Sequence, residues 1–423
     1  MTPRYEAPSR AISGTDADLL DQLRYADGHP YGFYKNALGA WDYGDFTLAI
    51  DHVQADPYAP PSSLRAWSTP EAMGLPEAAL ASSDARLAAA DFIARSFDEA
   101  IRARGTRDVT IARAGALILQ RSYATVLPDR VEVRFQVKLP ARGRTILGKS
   151  AARLFDVDVP NIVMDCFDFV SEDPDTTRKR SRLLGHVAAY EDYRALQGIL
   201  AERGWVSFVA DEALLARRSG VSEAPLAGDG VVAFSAPESL RATVTLPHAG
   251  EVSGMAIPPG LTLIVGGGYH GKSTLLEAIA QGVYAHVPGD GRELVATDPT
   301  ATKVRAADGR AVTGVDISPF ITHLPGGADT TSFSTENASG STSQAASIVE
   351  SLELGARTLL IDEDTSATNL LIRDTRMRDL VAAEKEPITP LVDRVTSLTE
   401  AGVSLVMVVG GSGAFLDAAD RVL

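Results

Sequence analysis

A glycine-rich segment between residues 266 and 274 carries residue types that can hold a polyphosphate. It reads GGGYHGKST, follows a short apolar run, and precedes a stretch with helical spacing of leucine and isoleucine. This is the pattern G-x-x-x-x-G-K-[ST] between a strand and a helix. Backbone N–H groups that no side chain obstructs can surround a phosphate, and the helix N-terminus adds a partial positive charge. The segment therefore predicts a nucleotide site.

Each residue of this segment has an expected part in binding Mg-ATP. Lys272 would reach the β- and γ-phosphates, and Ser273 would offer its hydroxyl to Mg²⁺. His270 could touch phosphate or serve as a packing spacer. We expect the other contacts to the nucleotide from the rest of the segment: Gly266, Gly267, Gly268, Tyr269, His270, Gly271 and Thr274.

Two adjacent acids, Asp362 and Glu363, come at the end of the apolar stretch Thr358–Ile361. After such a strand, the first acid can hold Mg²⁺ through water and the second can polarise the attacking water. An acidic turn after a strand is common by itself, but its place downstream of a phosphate segment favours chemistry. We expect Asp362 to be a metal ligand, and Glu363 and Lys272 to be catalytic.

A serine–glycine segment, ASGSTSQ at residues 338–344, precedes the acidic pair and opens a helical stretch. It is similar to the ABC signature L-S-G-G-Q-x-Q, with matches at Ser339, Gly340 and Gln344. Serine and glycine at a helix start form an anion site. The resemblance implies that Ser339 and Gly340 contact the γ-phosphate bound to a second protomer, so a homodimer is expected at least when ATP is bound.

Three features depart from the ABC pattern. Asp364 stands where proline usually follows the acidic pair. The histidine expected after the last core strand is missing, since residues 410–413 read GGSG. No glutamine occurs within 282–343, so the usual Q-loop is absent, and Asp316 or Ser318 is a candidate substitute. The γ-phosphate sensor is therefore unassigned, and slow or conditional hydrolysis is compatible with the sequence.

The chain around these motifs is long enough for more than one domain, at 423 residues. We expect an α+β N-terminal domain over 1–245 and an α/β P-loop core of ABC type over 246–423. Alternation predicts a strand over Arg130–Leu139. Helical spacing predicts helices over 16–26, 77–104 and 183–203. The segment SEAPLAGDG (222–230) is typical of a linker or exposed loop.

Motifs along most of the chain resemble one family, the ABC-class ATPases that are separate from transporter subunits. The segments that carry the resemblance are GGGYHGKSTLL, VDISPFI, ASGSTSQAA, LLIDEDTSATN, DGHPYGFYK, IDHVQADPYAPPS and SGVSEAPL. The resemblance implies an N-terminal domain peculiar to the family joined to an ABC ATPase core. Members usually continue well past the position of Leu423, so we expect the sequence to lack a C-terminal region.

Composition limits the cellular setting. The single cysteine, Cys166, excludes an internal disulfide and fits a reducing compartment. We find neither a signal peptide nor an apolar run of spanning length, so we expect a cytoplasmic protein without a membrane partner. The net charge of −15 argues against wholesale wrapping of nucleic acid.

One basic segment interrupts this acidic chain. Residues 102–153 hold twelve Lys and Arg against three acids. Candidate nucleic-acid contacts are the basic residues on and beside the predicted strand: Arg130, Arg134, Lys138, Arg142 and Arg144. The alternative is a solvated face partly paired with acids. Three functions stay open: an ATPase acting on RNA or DNA, an ATP-gated protein-interaction switch with little turnover, and, least favoured, a transporter subunit.

Overall fold

The computed structural model describes residues 12–228, 230–324, 327–372, 386–411 and 413–423. The chain forms two compact units, of which the first ends at Glu191 and the second runs from Asp192 to Leu423. The long helix Pro174–Arg203 includes residues of both units. Among the described residues, no helix combines the length and the apolar character needed to cross a bilayer.

A seven-stranded sheet forms the centre of the first unit. Its strands are β1 (Ile12–Thr15), β2 (Gly39–Asp42), β3 (Thr47–His52), β4 (Ser62–Ser68), β5 (Val109–Thr110), β6 (Ala124–Val126) and β7 (Val131–Val137). Their order is β1-β2-β3-β4-β7-β5, and β6 also pairs with β7. A small hairpin follows, with strands β8 (Ala141–Arg142) and β9 (Thr145–Ile146).

The helices α1 to α6 begin in the first unit. They are α1 (Asp16–Tyr25), α2 (Pro70–Met73), α3 (Ser83–Arg104), α4 (Gly148–Arg153), α5 (Val159–Phe167) and α6 (Pro174–Arg203). α3 begins later than its apolar spacing predicts, because Ser82 caps it by accepting the amide of Ala85 at 2.9 Å. α6 begins earlier than predicted, at Pro174.

Strand β7 confirms the alternation seen in the sequence. Val131, Val133 and Phe135 are buried in the core of the first unit. The Phe135 ring lies 4.9 Å from the ring of Phe97 in α3, centroid to centroid. Because successive side chains of a strand point to opposite faces, the charged residues of β7 share the other face of the sheet.

An antiparallel sheet opens the second unit, and its strands come from both sides of residue 245. They are β10 (Ser207–Ala210), β13 (Arg241–Leu246), β14 (Gly250–Ile257) and β16 (Val295–Thr297), in the order β13-β14-β10-β16. Because β10 pairs with β14 and β16, the structure divides after residue 191 and not near 245. Residues 222–230, predicted to be a linker or exposed loop, lie between β10 and β13. They start with strand β12 (Ser222–Pro225), which pairs with β11 (Arg217–Ser219).

A parallel sheet of five strands forms the centre of the second unit. Its strands are β15 (Leu261–Val265), β17 (Thr302–Val304), β20 (Thr358–Asp362), β21 (Ser404–Val409) and β22 (Arg421–Val422), in the order β17-β20-β21-β15-β22. The elements between them include the hairpin β18 (Val312–Val315) and β19 (Phe333–Thr335), and the helices α7 (Lys272–Gln281), α8 (Gly340–Glu353), α9 (Thr368–Leu371) and α10 (Val395–Glu400).

Both faces of the parallel sheet are buried, as expected for strands with near-continuous apolar runs. Leu360 and Val406 belong to a core that also contains Leu276 of α7. Leu359 belongs to the core on the opposite side, which contains Ile348 of α8. Because the strands are parallel, the segments that follow β15, β20 and β21 meet at one edge of the sheet.

Candidate nucleotide-binding and hydrolysis site

The loop that follows β15 is open to solvent from Gly266 to Gly271. Gly266 and Gly271 have φ values of 142° and 84°, a region that L side chains rarely adopt. Tyr269 also has a positive φ, 61°, and its side chain is fully exposed. A loop with this backbone and this exposure can present its N–H groups to a phosphate.

Lys272 begins α7, and its Nζ donates a 2.7 Å hydrogen bond to the carbonyl oxygen of Gly267. The lysine therefore reaches back across the loop to which it belongs. The His270 ring lies over Gly267, since a Cβ atom there would stand 3.1 Å from its Cε1. This contact favours the packing interpretation of His270. Ser273, in the first turn of α7, is exposed.

The residues predicted to hold Mg²⁺ are oxygen donors of the type that this ion prefers. Asp362 ends β20 with 4% exposure, and its Oδ1 accepts the amide of Asp364 at 3.2 Å. Ser273 offers an exposed hydroxyl. The described residues contain no group of three or more His, Cys, Asp or Glu suited to a metal. Mg²⁺ is commonly held by one or two protein oxygens together with substrate phosphates.

Glu363 contacts the loop that follows β21. Its Oε2 accepts the amides of Gly410 and Gly411, at 2.6 and 3.0 Å. A Cβ atom at Gly410 would lie 4.0 Å from Cε of Lys272, so the lysine also lies beside this loop. In the sequence these glycines stand where a histidine is expected, and a glycine pair directly after a core strand was the signal that could have found them.

The serine–glycine segment starts helix α8. Ser339 is the N-cap and is exposed, and its Oγ accepts the amide of Thr342 at 3.4 Å. Gly340 has little space for a side chain, since a Cβ atom would lie 3.1 Å from Oδ1 of Asp308. Gln344 is fully buried, and its side chain forms hydrogen bonds inside the protein, which the motif alone did not reveal. Its partners lie in the loop that follows the acidic pair.

Helix α7 is anchored at its far end by a buried arginine. Arg292 is 1% exposed, and it donates to the Leu215 carbonyl oxygen and to Oε1 of Gln281, the last residue of α7. Burial, followed by repulsion from Arg217, lowers the pKa of Arg292 to about 10. Arg217 is itself paired with Asp290 at 2.8 Å. This network positions the helix that carries Lys272 and Ser273.

Asp316 and Ser318, the candidate substitutes for the Q-loop glutamine, lie in one turn and are hydrogen-bonded to each other. Oδ1 of Asp316 accepts the amide of Ser318 at 3.0 Å. Asp316 is exposed and Ser318 is half-buried. Their part in nucleotide binding stays a prediction.

The basic face of β7 is partly neutralised by an acid between its arginines. Glu132, 5% exposed, accepts Arg130 at 2.5 Å and Arg134 at 2.8 Å. The Arg130 guanidinium also lies 4.3 Å from the centre of the Trp67 ring. Further along, Lys138 and the two arginines of the β8–β9 hairpin segment, Arg142 and Arg144, are exposed. Of the five predicted lysine and arginine residues, these last three are the exposed ones.

Family models identify both halves of the chain. A model of the P-loop domain of the ABC-class ATPases matches residues 179–423, which is more than half of the sequence. The chain belongs to the ABC-class ATPase family. The N-terminal model of the same family matches residues 16–169. Nucleotide binding and hydrolysis are the activities that such a P-loop domain supports, and the α/β assignment with a separate N-terminal domain is confirmed.

Two individual proteins resemble this ABC-class ATPase over part of its length. "Uncharacterized protein MJ1628" of Methanocaldococcus jannaschii is 34% identical over 184 residues, which cover 42% of this chain and 41% of that protein. The structure of a bacterial Atm1-family ABC exporter with ATP bound aligns with a TM-score of 0.28 at 15% identity, covering 66% of this chain and 48% of the exporter chain. The aligned part of this chain thus spans less than half of the Methanocaldococcus jannaschii protein and less than half of the exporter chain.

Proposed function

We propose that this ABC-class ATPase binds Mg-ATP at Gly266–Thr274 and hydrolyses it with Glu363 as the base, in a dimer of two copies. One observation carries the proposal. An exposed glycine loop, Lys272 and Glu363 meet at one edge of a single parallel sheet. Phosphoryl transfer needs chiefly positioned donors and a positioned base, and such an arrangement can supply both.

In this proposal, the loop amides and Lys272 hold the β- and γ-phosphates. Lys272 exchanges its bond to the Gly267 carbonyl for a phosphate oxygen. Mg²⁺ supplies charge neutralisation on the phosphates when it is bound, and Ser273 and Asp362 would hold it. Glu363 accepts a proton as water forms the new bond to the γ-phosphorus and the bond to the oxygen of ADP breaks.

The dimer rests on the start of helix α8. Ser339 is exposed at the N-terminus of this helix, where backbone amides and the helix dipole favour an anion. Gly340, next in the chain, carries no side chain that would obstruct a phosphate. We propose that Ser339 and Gly340 contact the γ-phosphate bound to the other copy, in an interface with twofold symmetry.

The ATPase proposal is tested by equilibrium binding of a fluorescent ATP analogue and by phosphate release with Mg²⁺ or with a chelator. Lys272→Ala should weaken nucleotide binding at least about a hundredfold, because a charge-assisted contact to two phosphates is lost. Lys149→Ala, at an exposed lysine outside the site, serves as the control. Unchanged ATP affinity in Lys272→Ala would contradict the assignment of the loop.

For the client, we propose that this ATPase acts on or with RNA or DNA. The exposed basic residues Lys138, Arg142 and Arg144 support this proposal, and a dimer would present them twice. A switch with little turnover is the alternative, supported by the missing histidine and Q-loop glutamine. A transporter subunit is less favoured. ATPase rates with and without RNA and DNA, together with retention of each at low salt, separate these functions.

A further inference from the structure

The carboxylate of Glu363 is held by two backbone amides, although it lies 47 and 48 positions before them in the chain. Both amides, from Gly410 and Gly411, donate to the same oxygen, Oε2. Among the described residues, none donates a hydrogen bond to Oε1. One oxygen is therefore anchored, and the other is left for a further partner.

This arrangement suits a base. A glutamate side chain has several rotatable bonds, and a preformed anchor orders it before the reaction begins. Hydrogen bonds from amides to an ionised carboxylate are short and strong. A displacement of about 1 Å in a catalytic group can cost about a hundredfold in rate. Anchoring Oε2 would hold Oε1 where a water can reach it.

The glycines themselves are not required by space or by backbone geometry. A Cβ atom at Gly410 would lie 3.9 Å from Oε2 of Glu363, and one at Gly411 would lie 3.7 Å from Oε1. Both are ordinary van der Waals distances. Neither glycine has a positive φ. What these positions contribute to Glu363 is the N–H group, which alanine keeps and proline lacks.

We propose that the backbone amides of Gly410 and Gly411 position Glu363 for hydrolysis, in the place where a histidine side chain was expected. This inference rests on the proposed function, in which Glu363 is the base. It assigns these two residues a positioning function through Glu363.

The test compares Gly411→Pro with Gly411→Ala in the full chain, by steady-state ATP hydrolysis and by binding of a fluorescent ATP analogue. Gly411→Ala keeps the amide and should retain kcat within about threefold. Gly411→Pro removes one donor and should lower kcat at least about tenfold, with the nucleotide Kd within about threefold of the original protein. In a Glu363→Gln background, Gly411→Pro should cause little further loss, since both changes act through one side chain.

Three results would overturn the inference: a normal kcat in Gly411→Pro, an equal loss in Gly411→Ala, or a full additional loss in the Glu363→Gln background. If Gly411→Pro does not fold, the pair Gly410→Pro and Gly410→Ala tests the other donor by the same criteria. An original protein that neither binds nor hydrolyses ATP would reject the proposed function instead. Normal hydrolysis with an unaffected proline variant would reject only the positioning by amides.

Discussion

Gln344 donates a 2.9 Å hydrogen bond from its Nε2 to Oγ of Ser366. Its Oε1 accepts the amide of Ala367 at 2.8 Å, so the fully buried side chain is bound at both ends. Oγ of Ser366 in turn donates to the carbonyl oxygen of Asp362 at 2.8 Å. The start of helix α8 is thus connected through one buried amide to the loop that follows the acidic pair.

Replacement of Gln344 by leucine should destabilise the second unit and disturb the acidic pair. It leaves the amide of Ala367 without its acceptor and the hydroxyl oxygen of Ser366 without its donor, at a cost of about 1–3 kcal/mol in the free energy of unfolding. Urea unfolding measures this cost, and ATP hydrolysis should fall with it. Ser341→Ala, which removes the more exposed bond to Asn369, is the control and should cost less. A leucine variant as stable as the original would contradict this interpretation.

Replacement of Glu363 by glutamine should separate nucleotide binding from turnover. The amide oxygen of glutamine can still accept the N–H groups of Gly410 and Gly411, but the side chain no longer accepts a proton from water. We expect hydrolysis to fall about 10²–10⁴-fold while ATP stays bound. Retained nucleotide and the dimer fraction, measured by size-exclusion chromatography, should both rise with ATP. Turnover at the normal rate would exclude Glu363 as the base.

Charge reversal of the three exposed basic residues, Lys138, Arg142 and Arg144, should weaken retention of RNA or DNA. Each lost phosphate contact should reduce the slope of log affinity against log salt by about one. The matched control reverses three exposed arginines that are paired within their own helices: Arg24, Arg102 and Arg178. Equal losses in both triple variants would indicate a general charge effect. No binding by the original protein at low salt would remove the nucleic-acid proposal.

Asp91 should make the first unit sensitive to acid. It is 1% exposed, and it accepts Arg95 at 2.6 Å and Arg121 at 3.0 Å, with Nε2 of His186 at 3.1 Å. Burial alone would raise the pKa of Asp91, but the hydrogen bonds from His186 and Arg95 and the charge of Arg95 hold it below its usual value. The stability that Asp91 contributes is therefore present above pH ~4 and is lost as pH falls through the folded-state pKa.

Asp91→Asn should accordingly lower the free energy of unfolding by about 3 kcal/mol at pH 7, since two arginines lose a buried partner. The difference from the original protein should begin to shrink below pH ~4 and should be lost as pH falls through the folded-state pKa, where the original also loses the charge. Thermal unfolding at pH 7 and in acid measures both effects. Asp98→Asn, at a more exposed aspartate paired with Arg102, should cost less than about 1 kcal/mol. A constant difference between Asp91→Asn and the original at every pH would contradict the prediction.

The sequence by itself determined the features that depend on near neighbours. The glycine loop between β15 and α7 could be located because its pattern uses consecutive residues between a strand and a helix. The buried face of β7 followed from side chains that alternate along a strand. The same alternation puts Glu132 between Arg130 and Arg134, so their ion pairs could have been expected from the sequence.

Only the tertiary structure decided which distant segments meet. The bond from Gly411 to Glu363 joins residues 48 positions apart, and that from Gln344 to Ser366 joins residues 22 apart. The boundary between the units likewise depended on β10 pairing with strands beyond residue 245. Local patterns state which face of an element is buried, but they do not state its neighbours. The order of strands in each sheet determines which segments become neighbours. The carboxyl ends of adjacent parallel strands lie close together whatever their separation in the chain.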